Sequence, residues 1–350
     1  MRKISPKVFI EGKEIDYLSG EYQYPGNFSA SSITFSIPLT QGGTQKLWNR
    51  EVTVFLNPSD SYPIFRGWIK RVNETFSDME IFAQDAIGYM VQAGGSSKAR
   101  VRLTDKNNLD GYTAGAFIQK ILERAELSDK IKTTYIGDTS PRVNSVTEPF
   151  RGVVGVQSAI KEMVSKSIDN TSTLPRPNLL RVIDDGTYSQ LIIELESDTD
   201  NDPIAHTFTE KDNITNLNII NKKVPTVITV EGENGVSSTF THTSGLEAFD
   251  RNYLQVTNDK LESPAECHDF AAKLWRTNER LQYEYTLEVT EGAYLNENDV
   301  IKIVTEEPEF SGNYRIVGKT ISFSPDSFTL GLTINRKPPT LAEYISSRDN

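Results

Sequence analysis

Three aspartates at alternate positions are the sharpest candidate for metal chemistry in this sequence. Asp198, Asp200 and Asp202 form D-x-D-x-D, the order in which a calcium-binding loop of the EF-hand type begins. The rest of that loop is missing, because Pro203 replaces the glycine of the sharp turn and Thr209 stands where a bidentate glutamate belongs. We therefore predict a solvated acidic loop here and no metal.

Histidine and cysteine offer no second metal site. His206, His242 and His268 are widely spaced, and the single cysteine, Cys267, adjoins only His268. Neighbouring residues on a helix point about 100° apart and do not easily share a tetrahedral ion. One cysteine cannot form an internal disulfide, which fits assembly in a reducing cytosol. We expect Cys267 to be a half-buried small hydrophobe on a helix.

Catalytic motifs are also missing from the sequence. It has no G-x-S-x-G elbow, Walker loop or dinucleotide fingerprint, and Gly152 and Gly155 do not meet the required spacing. Paired carboxylates such as Glu306 and Glu307 fall in predicted turns, where charge is expected in any case. We predict that the chain is not an enzyme and that it carries no catalytic residue and no cofactor.

Basic residues recur in two similar predicted strands, FRGWIKRV and YRIVGKT. They could pair with acidic groups of a neighbouring subunit, or they could face outward and protect the strands from aggregation. An amphipathic turn in the C-terminal tail is a further docking candidate. The candidate interface residues are Arg66, Lys70, Arg71, Arg315, Lys319, Leu341 and Tyr344.

These two strands belong to segments that show the same order of signals. Val52 to Asp85 and Val300 to Ile334 each begin with a short β-branched strand and a Pro-containing connection. A basic strand with one glycine, a polar turn and a last strand follow in each. Such a repeat indicates one structural task performed twice, although ordinary meanders also look alike. Five short strands from Lys7 to about Ala93 predict a small closed barrel.

The region between the two segments is predicted to mix helices and strands. Apolar spacing predicts a helix after Thr113 and another from Gly152 to Ile168, and strands 179–183 and 190–195 should form a hairpin. Further strands are expected at 216–220 and 227–231.

A capping box predicts the start of a long helix that runs toward Arg280. Its residues are Ser263 as N-cap, Pro264 in the first turn and Glu266 as the reciprocal cap.

The predicted fold is a β-rich α+β class with two similar small antiparallel β-barrels, an inserted α+β domain and a long helix before the second barrel. The predicted divisions are a first barrel at 1–95, an inserted domain at 96–203, a strand region at 204–262, a helix with the second barrel at 263–336, and a tail at 337–350.

Composition limits the classes of function. The chain has 350 residues, 37% hydrophobic and 24% charged, with a formal net charge of -11. Phosphate binding needs clustered Lys and Arg, so this charge argues against a surface that wraps nucleic acid. The N-terminus lacks the apolar run of a signal peptide, and no later stretch approaches the roughly 18 apolar residues of a membrane span.

The layout resembles the baseplate hub proteins of long-tailed bacteriophages, and the hub portion of contractile injection systems and of the type VI secretion spike. The stretches that carry the resemblance are FRGWIKRV, IFAQDAIGY and FTEKDNITNLNIINKKVPTVITVEG, in that order, with a long helix and a strand hairpin after them. The chain departs from the fused spike type because no β-helix repeat follows Asn335 and no lysozyme domain is recognisable. We therefore expect neither a piercing needle nor cell-wall hydrolysis.

The resemblance implies a structural protein of the virion tail that is assembled in the host cytoplasm. As a homotrimer with two barrels per subunit, it would join a sixfold tail tube to a threefold central spike. Its implied partners are the tube and spike proteins, other baseplate proteins and the tape measure protein, with DNA passing through the lumen without specific binding.

Two other classes of function stay open. A receptor- or carbohydrate-binding tail module would predict aromatic residues clustered in one loop, whereas Trp48, Trp68 and Trp275 are scattered. A cell-wall-degrading tail enzyme would require the catalytic motifs that the sequence lacks.

Overall fold

The computed structural model describes residues 4–335 except for thirteen short segments, namely 27–28, 40–46, 58–59, 93–99, 104–113, 136–151, 167–177, 185–186, 222–224, 242–250, 259–260, 281–282 and 308–309. The chain divides into two compact units. Unit 1 comprises Met1–Ser197, Thr290–Asn298 and Val317–Leu332, and unit 2 comprises Asp198–Val289, Asp299–Ile316 and Thr333–Asn350.

The described residues form 21 strands and four α-helices. The first twelve strands are β1 (Lys7–Ile10), β2 (Lys13–Ile15), β3 (Ser19–Tyr24), β4 (Ser32–Pro38), β5 (Glu51–Phe55), β6 (Phe65–Glu74), β7 (Asp78–Gln84), β8 (Arg100–Leu103), β9 (Ile131–Tyr135), β10 (Gly152–Gly155), β11 (Asn178–Asp184) and β12 (Ser189–Leu195). The others are β13 (Ile204–Thr209), β14 (Ile214–Asn221), β15 (Val227–Glu231), β16 (Ser237–Thr241), β17 (Tyr253–Thr257), β18 (Tyr283–Val289), β19 (Val300–Val304), β20 (Gly312–Phe323) and β21 (Phe328–Asn335). The helices are α1 (Ala86–Gln92), α2 (Ala114–Arg124), α3 (Val156–Lys166) and α4 (Pro264–Arg280).

The main sheet of unit 1 is antiparallel, in the order β2-β1-β5-β6-β7-β4-β3-β20. Its strands alternate apolar residues on one face with polar residues on the other, which is the pattern of a sheet with one buried face. In β4, Ile33, Phe35 and Ile37 are buried, while Thr34 and Ser36 lie on the opposite face. This alternation sets the register, because a slip of one residue would expose the whole apolar set.

The inserted region of unit 1 packs α1, α2 and α3 against β11 and β12 in one apolar core. Phe117, Ile118, Ile121 and Leu122 of α2 are all buried, as the apolar spacing predicts. The hairpin of β11 and β12 pairs antiparallel along its whole length, from Asn178 opposite Leu195 to Asp184 opposite Ser189, and the predicted hairpin is confirmed.

Unit 2 contains a smaller core in which α4 covers the sheet β16-β15-β17. Cys267 is completely buried there beside Ile228, Val230 and Trp275, so it is a small core hydrophobe, more buried than expected. Elsewhere in unit 2, β13 pairs parallel with β19, β19 pairs antiparallel with the start of β20, and β14 pairs antiparallel with β18.

The predicted capping box of α4 is confirmed. The Glu266 N–H donates to Ser263 Oγ at 3.3 Å, and the Ser263 N–H donates to Glu266 Oε2 at 3.1 Å.

We expect Ser263→Ala to lower the free energy of unfolding of unit 2 by about 1 kcal/mol, because a first-turn N–H loses its acceptor. Chemical denaturation should detect this, whereas Ser263→Thr should stay near wild type; equal losses in both variants would contradict a capping role.

The two repeated segments have the same strand order. In the first, β5 pairs with the start of β6, from Glu51 opposite Trp68 to Val54 opposite Phe65, and β6 continues against β7. In the second, β19 pairs with the start of β20, from Val300 opposite Arg315 to Ile303 opposite Gly312, and β20 neighbours β21. The β-rich α+β class is confirmed. Closure into two barrels and the predicted domain boundaries stay predictions.

Three local predictions were wrong or incomplete. The predicted helix from Gly152 begins only at Val156, because Gly152–Gly155 pairs with β8 as strand β10, which suits its two β-branched valines. Strand β3 was missed because Gly20 brings no apolar side chain to one of its three buried positions, so that only Tyr22 and Tyr24 mark the alternation. Helix α1 was missed because it is only seven residues long.

Candidate assembly site

The basic positions of the two repeated strands occupy matching places. In β6 the order is Phe65, Arg66 and, four residues later, Lys70; in β20 the order is Tyr314, Arg315 and, four residues later, Lys319. Both aromatic residues are buried, and each lies near the start of its strand. The shared spacing places an Arg and a Lys at equivalent points of each repeat. The residues with this spacing are Phe65, Arg66, Lys70, Tyr314, Arg315 and Lys319.

Arg66 fastens the inserted hairpin to the main sheet of unit 1. Its Nε lies 2.8 Å from Asp184 Oδ2, and the side chains of both residues are nearly buried. Its Nη1 donates to the Thr187 carbonyl oxygen at 2.7 Å and lies 3.7 Å from Glu51 Oε1. A guanidinium with several acceptors in a low-dielectric setting holds its carboxylate partner firmly.

Lys319 plays a comparable part for the 290–298 segment of unit 1. Its Nζ donates to the carbonyl oxygens of Leu295 at 2.8 Å and Ala293 at 3.2 Å, and it lies 5.9 Å from the centre of the Tyr22 ring. Lys319 is itself buried. The Lys319 ammonium therefore links β20 to the 290–298 segment inside unit 1 and does not face solvent.

Two more side chains hold the same segment in place. The Tyr24 hydroxyl donates to Glu297 Oε2, and burial raises the pKa of Tyr24 well above its usual value, so the hydroxyl keeps its proton. The Asn298 amide donates to Glu194 Oε1 at 3.0 Å and to the Leu195 carbonyl oxygen at 2.9 Å. These bonds join three parts of unit 1 that are far apart in sequence.

Lys70 lies at a β-bulge, between Ile69 and Arg71, where the register of β6 against β7 shifts. Bulges redirect a side chain, and here the ammonium is buried 4.9 Å from the centre of the Tyr89 ring. Burial lowers the pKa of Lys70 to about 8. Within the described part of the chain its Nζ has no hydrogen-bond acceptor.

The other predicted interface residues have different settings. Arg71 is exposed, with its Nη2 3.5 Å from Glu80 Oε1 and its guanidinium 5.3 Å from the centre of the Phe82 ring. Arg315 is buried in unit 2. Leu341 and Tyr344 lie outside the described residues. Of the five basic positions, Arg71 alone is exposed, and an interface role for the set stays a prediction.

Sequence reasoning missed the internal use of these side chains. Strand patterns place charged residues on the solvent face, yet Lys70 and Lys319 are buried, and the Arg66 side chain is only 10% exposed beside Asp184. The identical aromatic–Arg–Lys spacing was the available signal, because two solvent-facing strands need not share a spacing.

The two hairpins of the repeats turn in the same way at the same end of the unit 1 sheet. The Thr75 N–H donates to the Asp78 carbonyl oxygen at 2.9 Å, and the Ser324 N–H donates to the Ser327 carbonyl oxygen at 2.9 Å. In each turn the first hydroxyl accepts the N–H of the fourth residue at 3.1 Å and that of the third at 3.4 Å. The pairing registers of strands β20, β3, β4, β7 and β6 place both turns at one end of the sheet. The sequence predicted a polar turn at each place, but not that the two turns share these hydrogen bonds or lie at one end of a sheet.

A groove rich in hydroxyl groups opens near this end of the unit 1 sheet. Among the described residues that line it, Glu21 and Glu80 are the charged ones, and none is Lys or Arg. Small side chains with little rotamer entropy make a surface that a partner can cover without ordering long chains. The hydroxyl-bearing residues of the groove are Ser19, Thr34, Ser36, Ser322, Ser324, Ser327 and Thr329.

In the candidate calcium loop, carboxylates of the loop accept hydrogen bonds from the loop's own backbone N–H groups. Asp198 Oδ1 accepts the Asp200 N–H at 3.0 Å, and Asp202 Oδ2 accepts the Asp198 N–H at 2.7 Å. Asp198 Oδ2 also accepts from the Asn201 side chain at 2.8 Å. Across the described residues, no three or more His, Cys, Asp or Glu side chains are grouped as metal ligands.

The histidines have separate settings. His206 packs against the Phe208 ring with the two centroids 4.5 Å apart. The exposed His268 side chain lies 3.9 Å from Asp269 and 5.7 Å from the Phe240 ring. His242 lies outside the described residues.

Asp85 joins two loops of unit 1 and is fully buried. Its Oδ2 accepts the Ser31 N–H at 2.8 Å, and its Oδ1 accepts the N–H groups of Ile87 at 2.9 Å and Gly88 at 3.2 Å at the start of α1. Burial nevertheless raises the pKa of Asp85 to about 6, above the 3.8 of an exposed aspartate.

This raised pKa predicts a pH dependence of stability. Because the folded state binds the proton more tightly, Asp85 stabilises the fold most below about pH 4 and least above about pH 6. From pH 4 to 7, Asp85→Asn should therefore gain roughly 2 kcal/mol in unfolding free energy relative to wild type. Denaturant titrations at each pH would measure this difference, and parallel curves for the two proteins would contradict it.

Comparison with solved structures identifies the class of fold as that of phage tail proteins. A tail protein from Neisseria meningitidis MC58 superposes with a TM-score of 0.67 at 14% identity over 95% of this chain and 96% of its own. The 43 kDa tail protein of prophage MuSo2 from Shewanella oneidensis has a TM-score of 0.67 at 12% identity, over 96% of this chain and 97% of its own.

A third match extends the likeness to a secretion system. It is an Escherichia coli protein described as a component of the type VI secretion system, similar to phage T4 tail proteins gp27 and gp5. Its TM-score is 0.56 at 12% identity, over 95% of this chain and 79% of its own. The predicted resemblance is thus confirmed at the level of the fold. The sequence matches no family model and no curated protein.

None of the helices that the structure describes is long and apolar enough to cross a bilayer.

Proposed function

We propose that this chain is the structural hub of a phage tail baseplate. It would form a homotrimer in which each subunit contributes two equivalent β units, so that three chains form a ring of six similar surfaces. One side of the ring would receive the sixfold tail tube, and the other would hold the threefold central spike. The observation that carries the proposal is the shared strand order of β5-β6-β7 and β19-β20-β21 within a tail-protein fold.

The proposed partners are the tail tube protein, the central spike protein, other baseplate proteins and the tape measure protein, in a virion assembled in the host cytoplasm. DNA would pass through the lumen without specific binding, and the net charge of -11 supports this, since an acidic wall repels phosphates. Among the predicted interface residues, exposed Arg71 is the best placed to meet an acidic neighbour.

Mass measurement tests the trimer. We expect native mass spectrometry and sedimentation of the isolated chain, or of its mixture with tube protein, to give three times the 39.3 kDa subunit mass. Electron microscopy should then show a closed ring with two similar β units of each subunit at equal radius. A stable monomer that joins neither tube nor spike protein would contradict the proposal.

A peptidoglycan assay separates the hub from a wall-degrading enzyme. The purified chain should release no soluble fragments from cell walls, with a lysozyme as the positive control. Fragment release by the chain, lost on heat denaturation, would favour the enzyme.

A further inference from the structure

One large apolar side chain is held fully in solvent at the tip of the β6–β7 hairpin. Phe76 has a relative exposure of 108%, the largest among the apolar side chains of the described residues. Leaving a phenylalanine in water forfeits the free energy that its burial would provide, so a partner that covered this ring would gain that free energy.

The turn that carries Phe76 is closed by several hydrogen bonds. Thr75 Oγ1 accepts the N–H groups of Ser77 and Asp78, and it also contacts the Asp78 carbonyl and carboxylate oxygens. The Thr75 N–H closes the turn on the Asp78 carbonyl oxygen. A partner that binds the ring therefore has little backbone to order, which lowers the entropic cost of binding.

The matching turn of the second hairpin lacks this ring. Ser324 to Ser327 repeats the same backbone bonds, yet Pro325 occupies the place of Phe76. Of these two turns, only the first therefore carries an aromatic side chain at its tip. Three chains in a ring would present three such tips, not six.

The surroundings of Phe76 are acidic. Glu74 is exposed on one side of the turn, Asp78 lies on the other, and Glu21 and Glu80 line the groove near the same end of the sheet. Arg71, which pairs with Glu80, is the nearby cation on β6. A complementary surface would combine an apolar pocket with basic side chains around its rim.

We propose that Phe76 is the anchor by which each subunit docks into an apolar, basic-rimmed pocket of the threefold spike protein. The proposal rests on the hub function above. The threefold partner fits because it offers one pocket per subunit, whereas a sixfold tube would leave half of its pockets without a ring. Buried aromatic anchors of this kind dominate binding energy at interfaces.

The test uses the full-length chain with purified spike protein and purified tube protein as separate probes. Phe76→Ser should weaken spike binding by about 30-fold or more, the loss typical of an interface anchor, and leave tube binding unchanged. Glu74→Gln should weaken spike binding a few-fold, mainly at low salt. Pro325→Ala, at the matching turn, is the control and should change neither affinity.

The variants should fold normally, because Phe76 is fully exposed in the isolated chain. A spike affinity of Phe76→Ser within about 3-fold of wild type would overturn the anchor while leaving the hub function intact. An equal loss for tube and spike would also overturn it, since the ring would then not select the threefold partner. A wild-type chain that binds neither probe would overturn the hub function together with this inference.

Discussion

Arg66→Met is expected to lower the free energy of unfolding by about 3–5 kcal/mol, because it leaves a buried carboxylate without its cation. Asp184 is the last residue of β11, and its side chain is only 6% exposed. Without Arg66, the Asp184 carboxylate would still be desolvated but would lose the ion pair that offsets this cost. The inserted hairpin, which carries Asp184, should therefore loosen first. Denaturant unfolding would measure the loss, and limited proteolysis would locate it.

The same strand provides a matched control for Arg66. Arg71 also pairs with a carboxylate, at 3.5 Å, but its side chain is 57% exposed, so Arg71→Met should cost under about 1 kcal/mol. The pair itself can be isolated with Asp184→Leu and the double variant. We expect the double variant to be more stable than either single variant, because no buried charge stays unpaired. Similar losses for Arg66→Met and Arg71→Met would contradict the internal role of Arg66.

Gly26→Ala is expected to cost about 4 kcal/mol, the second large effect. Gly26 follows β3 with φ of +73°, and a Cβ there would lie 1.8 Å from the Val317 carbonyl oxygen on β20. An alanine in the left-handed conformation costs about 1–2 kcal/mol. The overlap of its Cβ with the Val317 carbonyl oxygen forces the backbone to move, which costs roughly 1–3 kcal/mol more, as in other overpacked sites. Thermal and denaturant unfolding would measure the sum.

Gly12 separates these two contributions. It has nearly the same φ, +75°, but a Cβ there would meet nothing within 4 Å. Gly12→Ala should therefore show only the conformational cost of about 1–2 kcal/mol. Since Val317 belongs to the strand that joins the C-terminal hairpin to the N-terminal sheet, we also expect Gly26→Ala to weaken that pairing. If Gly12→Ala and Gly26→Ala lowered the free energy of unfolding equally, the close approach of Gly26 to Val317 would not contribute to the cost.

Elements with a strong periodic pattern were predictable from sequence. The alternation in β4, the buried face of α2 and the capping box of α4 are local signals, since each is decided by residues within a few positions of one another. Helix α1 and strand β3 carry weak local signals. They form because Asp85 and Tyr24 gain partners from distant parts of unit 1, at Ser31 and Glu297.

The candidate site was only partly predictable. The basic positions were predicted because they recur in the two repeats. Whether their side chains face solvent or the interior was not predicted, because the local pattern of a strand does not show which long side chains find buried partners. Arg66 meets Asp184, which lies 118 positions later in the sequence, only after the inserted region has folded onto the sheet. The exposed ring of Phe76 was likewise invisible, since a phenylalanine in a sequence is ordinarily expected to be buried.

The amino-acid sequence by itself determined the β-rich class, the order of the repeated strands and the lack of any recognisable catalytic motif, because periodicity, turn residues and spacing are local properties. Only the tertiary structure decided that Arg66 and Lys319, which share the same spacing in the two repeats, bind partners inside unit 1, and that the two similar turns lie at one end of one sheet. The physical reason is that burial, ion pairing and strand neighbours depend on segments hundreds of residues apart, as when β3 pairs with β20.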